Sequence, residues 1–248
     1  FYMKLNLKEL IELTKTTHIC FEKHPENELY IFGYYNGGID KPNIWNDITK
    51  ICRGLIVDND GRIIERPFEK FWTYRQYMSE DTLLLSENKI QRIPNSPFKI
   101  FEKIDGSMAT LYWVDDIPYL ATQRSFTSPK AKKATEILHK KYPHVFEKFD
   151  KNFTYIFEAV YQETSILIDY GNQEDLYLIG VINKETGIAI PIPDIGFPKC
   201  QDLTYKYGHL KNYDELSNLN IPNLEGFVIQ YENDLRIKIK FPWYKELS

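Results

Sequence analysis

A chain of 248 residues, 43% hydrophobic and 15% aromatic, carries enough apolar mass for one large or two small packed domains. Its formal net charge of −4 excludes a protein that coats nucleic acid by bulk electrostatics, a mode that needs concentrated Lys and Arg. No apolar run approaches the roughly 20 residues of a spanning helix, and the opening FYMKLNLKEL lacks the regions of a signal peptide, so an intracellular protein is expected, cytoplasmic or, in a eukaryote, nuclear, and not secreted. Cys20, Cys52 and Cys200 are odd in number and far apart, which argues for reduced, buried thiols over a disulfide framework or a zinc knuckle.

In chain order, Leu5, Leu7, Leu10, Ile11 and Leu13 recur at helical spacing and predict an opening helix. ELYIFGYYN then reads as a strand ending in a turn at Asn36-Gly37-Gly38. In CRGLIVDNDGRIIERPF two β-branched runs flank Asp58-Asn59-Asp60-Gly61, a strong hairpin signal. FKIFEKIDGSMATLYWV reads as a second apolar-turn-apolar unit with YLATQRSF as a neighbouring strand, which places Lys103 at a strand end. From Pro129, KAKKATEILHKKY predicts a helix that turns Ala134, Ile137 and Leu138 inward. Between Leu120 and Tyr142, Arg124, Lys130, Lys132, Lys133, Lys140 and Lys141 stand against Glu136 alone, as either a phosphate-binding face or a solvated helix surface. FTYIFEAVY, TSILIDY, the hairpin LYLIGVINKETGIAIPI, EGFVIQY and LRIKIKF all read as strands. The expected class is α+β, centred on mostly antiparallel sheets flanked by helices.

Lys103, Asp105, Gly106 and Ser107 form the pattern K-x-D-G-S, which fits either a surface β-turn or a lysine that takes a nucleotide onto its own amine by attack on an α-phosphorus. An ordinary lysine is neutral in only about 0.04% of molecules at pH 7, so the second reading requires nearby cations or a metal. The rest of the chain offers them. Lys238 and Lys240 are two residues apart and share one face of a strand, suited to a phosphate chain or to guarding an exposed edge. Glu158 and Glu225 are embedded among apolar residues, where a carboxylate meets a buried basic partner or holds a hydrated metal ion. Arg53, Arg66 and Lys70 add separated cations beside dense aromatics.

Taken together, CRGLIVDNDGRIIERPFEKFW, EKIDGS, FEAV with TSILIDYG, LEGFV and KIKFPWY, in that order from about Cys52 to Tyr244, resemble the ATP-dependent RNA ligases, specifically the RNA ligase 1 family of bacteriophage type. The resemblance implies a nucleotidyltransferase fold with an ATP-grasp-like ligase core. It also implies one adenylyltransferase domain over residues 1–248, with about 1–50 as its N-terminal part; the family's enzymes continue into a C-terminal RNA-specificity domain, and the expectation that none is present here leaves either a fragment or a minimal ligase. Lys103 is then the residue that receives AMP; Arg53 and Lys70 hold the ATP phosphates; Lys238 and Lys240 contact phosphate; backbone groups around Glu102 meet the adenine. Glu158 and Glu225 organise a hydrated Mg²⁺, with Mn²⁺ as an alternative, and Tyr244 assists the same hydration shell. The substrate implied is RNA with 5′-phosphate and 3′-hydroxyl ends. Thr164 and Ser165 stand where the family often has Asn or Arg, so no contact is assigned to them. The competing readings are a DNA ligase or capping guanylyltransferase with the same core, and a noncatalytic RNA-end binding module of the same fold.

Overall fold

The computed structural model describes residues 4–37, 40–41, 43–78, 93–164 and 167–248. The chain opens with α1 (Leu7–Thr16), β1 (Ile19–Lys23), β2 (Leu29–Tyr34), β3 (Leu55–Asp58), β4 (Ile63–Glu65), β5 (Trp72–Thr73) and the short α2 (Tyr74–Met78). Then come β6 (Phe98–Glu102), β7 (Ser107–Val114), β8 (Ile117–Ala121), α3 (Pro129–Lys141) and β9 (Phe153–Val160). It closes with β10 (Asp175–Asn183), β11 (Ala189–Ile190), α4 (Thr204–Tyr207), α5 (Tyr213–Asn218), β12 (Gly226–Tyr231), β13 (Arg236–Lys240) and α6 (Pro242–Leu247).

Among the described residues thirteen strands form three sheets, ordered β1-β2-β3-β4, β11-β10-β9-β7-β8 and β5-β13-β12-β6. Every paired neighbour is antiparallel except β13 with β5. The expected α+β class with mostly antiparallel sheets therefore holds. Phe32, Leu55, Ile100, Phe227, Ile237 and Phe241 share one apolar core, which fastens the first sheet to the back of the third. Ala134, Ile137 and Leu138 of α3 pack with Phe157, Leu176 and Leu178 in a second core behind the middle sheet. Glu65 and Lys184 make a buried ion pair at 2.7 Å, joined by the Thr154 hydroxyl at 2.8 Å, and so tie the β3–β4 hairpin to the middle sheet. Desolvation lifts the Glu65 carboxyl to about 7 even with Lys184 opposing it.

One strand expectation is refined and one corrected. FKIFEKIDGSMATLYWV holds the two expected strands, with β8 beside β7 and Lys103 at the end of β6, but β6 pairs with β12 while β7 pairs with β8 and β9, so the turn after Lys103 crosses from the third sheet to the middle one. Alternating apolar runs specify strands but not their partners, and the partner of β6 lies more than 120 residues away. In TSILIDY, Leu167–Tyr170 form no strand, because Asp105 and Asn223 engage their backbone N–H groups singly; Ser165 and Ile166 lie outside the described residues, as does Gly38 of the expected glycine turn.

Candidate active site

Period-two alternation builds one wall of the site. On the third sheet Ile100, Phe227, Ile229, Ile237 and Ile239 face the core. Their alternates Lys99, Phe101, Val228, Gln230 and Arg236 line a cavity of about 590 Å³, and Lys238 and Lys240 follow Arg236 on the same strand face. Met108, Glu158 and Ile179 of the middle sheet line the opposite wall. Ile179 reaches it through a β-bulge: Leu178 pairs with Phe157 and Gly180 with Ile156, which leaves Ile179 as the extra residue.

Lys103 directly follows β6, and its N–H donates to the Gly226 carbonyl at 3.0 Å, so the ladder that pairs β6 with β12 fixes its Cα. Its Nζ lies 2.7 Å from Glu225 Oε1, and Lys240 Nζ is 4.0 Å from the same oxygen. The Glu225 side chain is 4% exposed and that of Lys103 22%, so a buried carboxylate stands between two lysines, one of which still opens onto the cavity. Glu225 thus meets a basic partner, the first of its two sequence readings. Glu158 faces the same group from β9. Burial raises its carboxyl to about 7; Lys103 and a hydrogen bond from the Gly106 N–H oppose the rise, and Glu225 and Asp105 add to it.

Gly106 is small because the chain passes so close to β9: a Cβ there would lie 2.5 Å from the Ala159 carbonyl oxygen and 3.1 Å from Glu158 Cγ. Gly106→Ala is expected to cost about 1–3 kcal/mol of stability and to displace Glu158 from Lys103. Chemical denaturation checks the first effect, and a wild-type value would contradict the close approach.

The remaining cations gather on the β5 side. Lys70 Nζ donates to the Tyr34 hydroxyl at 3.3 Å and lies over the rings of Tyr34, Trp45 and Trp72, 5.1 to 5.7 Å from their centroids. Burial, with Arg53 and Lys240 nearby, lowers its ammonium to about 8. Lys238 is lowered further, to about 7, by burial and then by Lys70, Lys103, Lys240 and Arg53. Such a cluster of mutually repelling cations is suited to an anion. Arg53 stacks over Phe71 at 5.2 Å and donates to the Glu69 carbonyl at 3.3 Å.

Other sequence candidates fall elsewhere. Arg66 lies against Gly187 and lines a smaller cavity of about 270 Å³ that it shares with Lys70. Glu102 lines the main cavity, but its carboxylate accepts from the Gln201 N–H at 2.8 Å while its own N–H donates to the Gln201 carbonyl at 3.0 Å. Tyr244 is buried and donates to Asp105 Oδ1 at 3.1 Å, so it reaches the site through that carboxylate. Thr164 closes the turn after β9, donating to the Ala159 and Tyr161 carbonyls. Lys133 and Lys141 of α3 pair with Glu174 and Asp175 and no α3 lysine lines the cavity, which makes the basic stretch a solvated helix surface. The three cysteines are free.

The sequence reading missed Asp105 as a structural centre. Oδ1 accepts from Tyr244, Oδ2 from the N–H groups of Leu167 and Ile168 at 3.4 Å, and its own N–H donates to the Tyr170 hydroxyl at 2.8 Å. Its place in K-x-D-G was visible, but its partners are 62 and more residues away.

Among the described residues no group of three or more His, Cys, Asp or Glu side chains is arranged to hold a metal ion. Two buried carboxylates beside a phosphate-sized group of cations do suit a hard ion that keeps most of its water, as Mg²⁺ does.

A lysine at the junction of two antiparallel sheets, with carboxylates and lysines converging on it, defines the nucleotidyltransferase type of ligase domain. Solved structures agree on the fold. A candidate ATP-dependent DNA ligase from Aquifex aeolicus superposes with a TM-score of 0.58 at 16% identity, covering 96% of this chain and 63% of that one. An archaeal ATP-dependent RNA ligase gives 0.57 at 13% identity, over 96% and 62%. The chain belongs to the RNA ligase family, whose model matches residues 51–244. A candidate RNA ligase of Thermovibrio ammonificans is 28% identical over 212 residues, covering 79% of this chain and 52% of that protein. An RNA ligase of Rhodothermus phage RM378 is 24% identical over 285 aligned positions, covering 89% and 64%. The chain thus spans about half to two thirds of the length of these two relatives. No helix among the described residues is long and apolar enough to cross a membrane.

Proposed function

We propose that residues 1–248 act as the adenylyltransferase unit of an ATP-dependent RNA ligase, with Lys103 as the nucleophile. The observation that carries this reading is the placement of Lys103 Nζ at 2.7 Å from buried Glu225, on the wall of the main cavity, with Lys240 Nζ 4.0 Å from the same carboxylate oxygen. Lys103 Nζ, its ammonium proton passed to Glu225 at 2.7 Å, attacks the α-phosphorus of ATP; the N–P bond forms as the bond to the bridging oxygen breaks, pyrophosphate leaves with the electron pair, and the surplus proton on the nitrogen passes to solvent. Lys238 and Lys240, with Lys70 and Arg53 beyond, face the oxygens that gain charge. Ile179 and Val228, from opposite walls, flank space for the adenine, whose edge meets backbone groups around Glu102. Glu158 and Glu225 would hold a hydrated Mg²⁺ or Mn²⁺, with Tyr244 beside them, and the ion when bound supplies positive charge to the phosphates. AMP then passes to an RNA 5′-phosphate, and attack by a 3′-hydroxyl joins the ends and releases AMP.

Intact-protein mass spectrometry after incubation with ATP and Mg²⁺ tests the first step. An AMP-sized addition with ATP and none with GTP is expected, and RNA against DNA ends then identifies the acceptor. No addition, and none released by pyrophosphate from protein already carrying AMP, would favour a noncatalytic RNA-end binder.

The lowered lysines give a pH prediction. At pH 8 the Lys238 ammonium, lowered to about 7, is mostly neutral in the free protein, and a bound triphosphate favours its charged form. ATP binding to a Lys103→Arg variant, which keeps the charge that helps lower Lys238, is therefore expected to take up protons at pH 8, up to about one per site, and to tighten as pH falls from 9 to 7. Calorimetry in buffers of different ionisation enthalpy measures the uptake; a value of zero would remove Lys238 from the phosphate site.

A further inference from the structure

The alternation that places Lys238 and Lys240 on the cavity face of β13 places Arg236 there as well, one step further along. Its guanidinium lies over the Phe68 ring at 4.3 Å from the centroid. That ring has its place because Gly180 has no side chain: a Cβ at Gly180 would fall 2.0 Å from Phe68 Cζ. Arg236 can donate five hydrogen bonds, yet among the described residues it makes one, from Nη1 to the Asp234 carbonyl at 3.3 Å, and no carboxylate oxygen ion-pairs with it. The Asp234 carboxylate is taken by the Ala189 N–H at 2.8 Å and by Gln230 Nε2 at 3.2 Å. Burial followed by the Arg53 charge lowers Arg236 to about 10, despite the opposing charges of Asp234 and Glu69.

Its position indicates what the free donors meet. Arg236 and Phe71 line both the main cavity, with Lys103 and Arg53, and the smaller one, into which Lys70 opens. Arg236 therefore stands on the partition between the two cavities with Phe71, Glu232 and Asp234, between Lys103 and Arg53 on one side and Lys70 on the other. The geometry points to Arg236 as a further phosphate-binding residue, one that with Arg53 and Lys70 seats the β- and γ-phosphates of ATP and holds the departing pyrophosphate. A planar fork steadied by ring stacking suits two phosphate oxygens at once, which the point charge of a lysine does not. This inference rests on the nucleotidyl transfer proposed above.

The test compares Arg236→Met and Arg236→Lys with the wild-type chain. Two readings involve pyrophosphate: the ATP dependence of Lys103–AMP formation and the pyrophosphate dependence of its reversal. A third does not: AMP binding, measured in a Lys103→Ala background. In Arg236→Met the half-saturating ATP and pyrophosphate concentrations are expected to rise on the order of tenfold or more, with Arg236→Lys between it and wild type and AMP affinity within about twofold. An unchanged pyrophosphate dependence overturns the proposal. So does an equal loss of AMP affinity, which would make Arg236 a base contact or a purely structural residue. Thermal unfolding shows whether Arg236→Met folds; if it does not, Arg236→Lys, which keeps stem and charge, carries the same comparison. Wild-type chain without any Lys103–AMP would instead remove the underlying reading.

Discussion

Lys103→Ala and Lys103→Arg are both expected to give no detectable AMP adduct after incubation with ATP and Mg²⁺, a loss of at least about a thousandfold in the first step. Lys238 and Lys240 are close in charge but not in position. Lys240 already lies 4.0 Å from Glu225, and Lys238 is held in the β12–β13 ladder directly opposite Val228. Neither backbone can move to where the Lys103 amine stands without breaking β12–β13 pairing. The arginine variant is the more telling one, because a guanidinium keeps the charge opposite Glu225 while lacking nucleophilicity at neutral pH. Alanine leaves Glu225 with Lys240 alone, at a distance that compensates it poorly, so a stability loss accompanies the catalytic one. Peptide mapping of any residual adduct decides the matter: AMP on Lys238 or Lys240 in either variant would move the nucleophile and dissolve the assignment.

How much of this was legible in the sequence depended on range. The β3–β4 hairpin could be read because Asp58-Asn59-Asp60-Gly61 and its flanking β-branched runs are local, and α3 because Pro129 and the spacing of Ala134, Ile137 and Leu138 are local. Lys103, Glu158, Glu225, Lys238 and Lys240 are gathered by what a lysine nucleophile needs and then by a resemblance, since periodicity alone assigns a face and not an opposing sheet. The structure converts those faces into neighbours by pairing β6 with β12 and passing through Asp105-Gly106 to β7. Arg236 and Asp105 escaped for opposite reasons. Arg236 reads only as part of the alternating strand LRIKIKF, and its lack of an ion-paired carboxylate among the described residues is a tertiary fact. Asp105 looked like a turn corner, and its hydroxyl and N–H partners come from segments that share no pattern with it.

Asp105→Ala is expected to lower the unfolding free energy by roughly 3 kcal/mol, which for a chain of this size is a fall in Tm of about 6–12 °C. The buried Tyr244 hydroxyl loses its acceptor, and the N–H groups of Leu167 and Ile168 lose theirs, so three donors are stranded by one substitution. The two backbone bonds are long at 3.4 Å and contribute less than the 3.1 Å bond from Tyr244. Tyr244→Phe should accordingly cost about 1 kcal/mol by itself. In the double variant the two losses should add to less than their sum, because each removes the same hydrogen bond. Asp105→Asn keeps one acceptor oxygen and should fall between wild type and alanine. The functional consequence follows from position: Tyr244 sits on α6, two residues into the helix that follows β13, so releasing it loosens the strand that carries Lys240. Self-adenylylation at 25 °C is expected to slow in Asp105→Ala even where the variant remains folded. Strict additivity in the double-variant cycle would show that Asp105 and Tyr244 do not act on each other, and would leave the aspartate of K-x-D-G as the turn residue its sequence suggested.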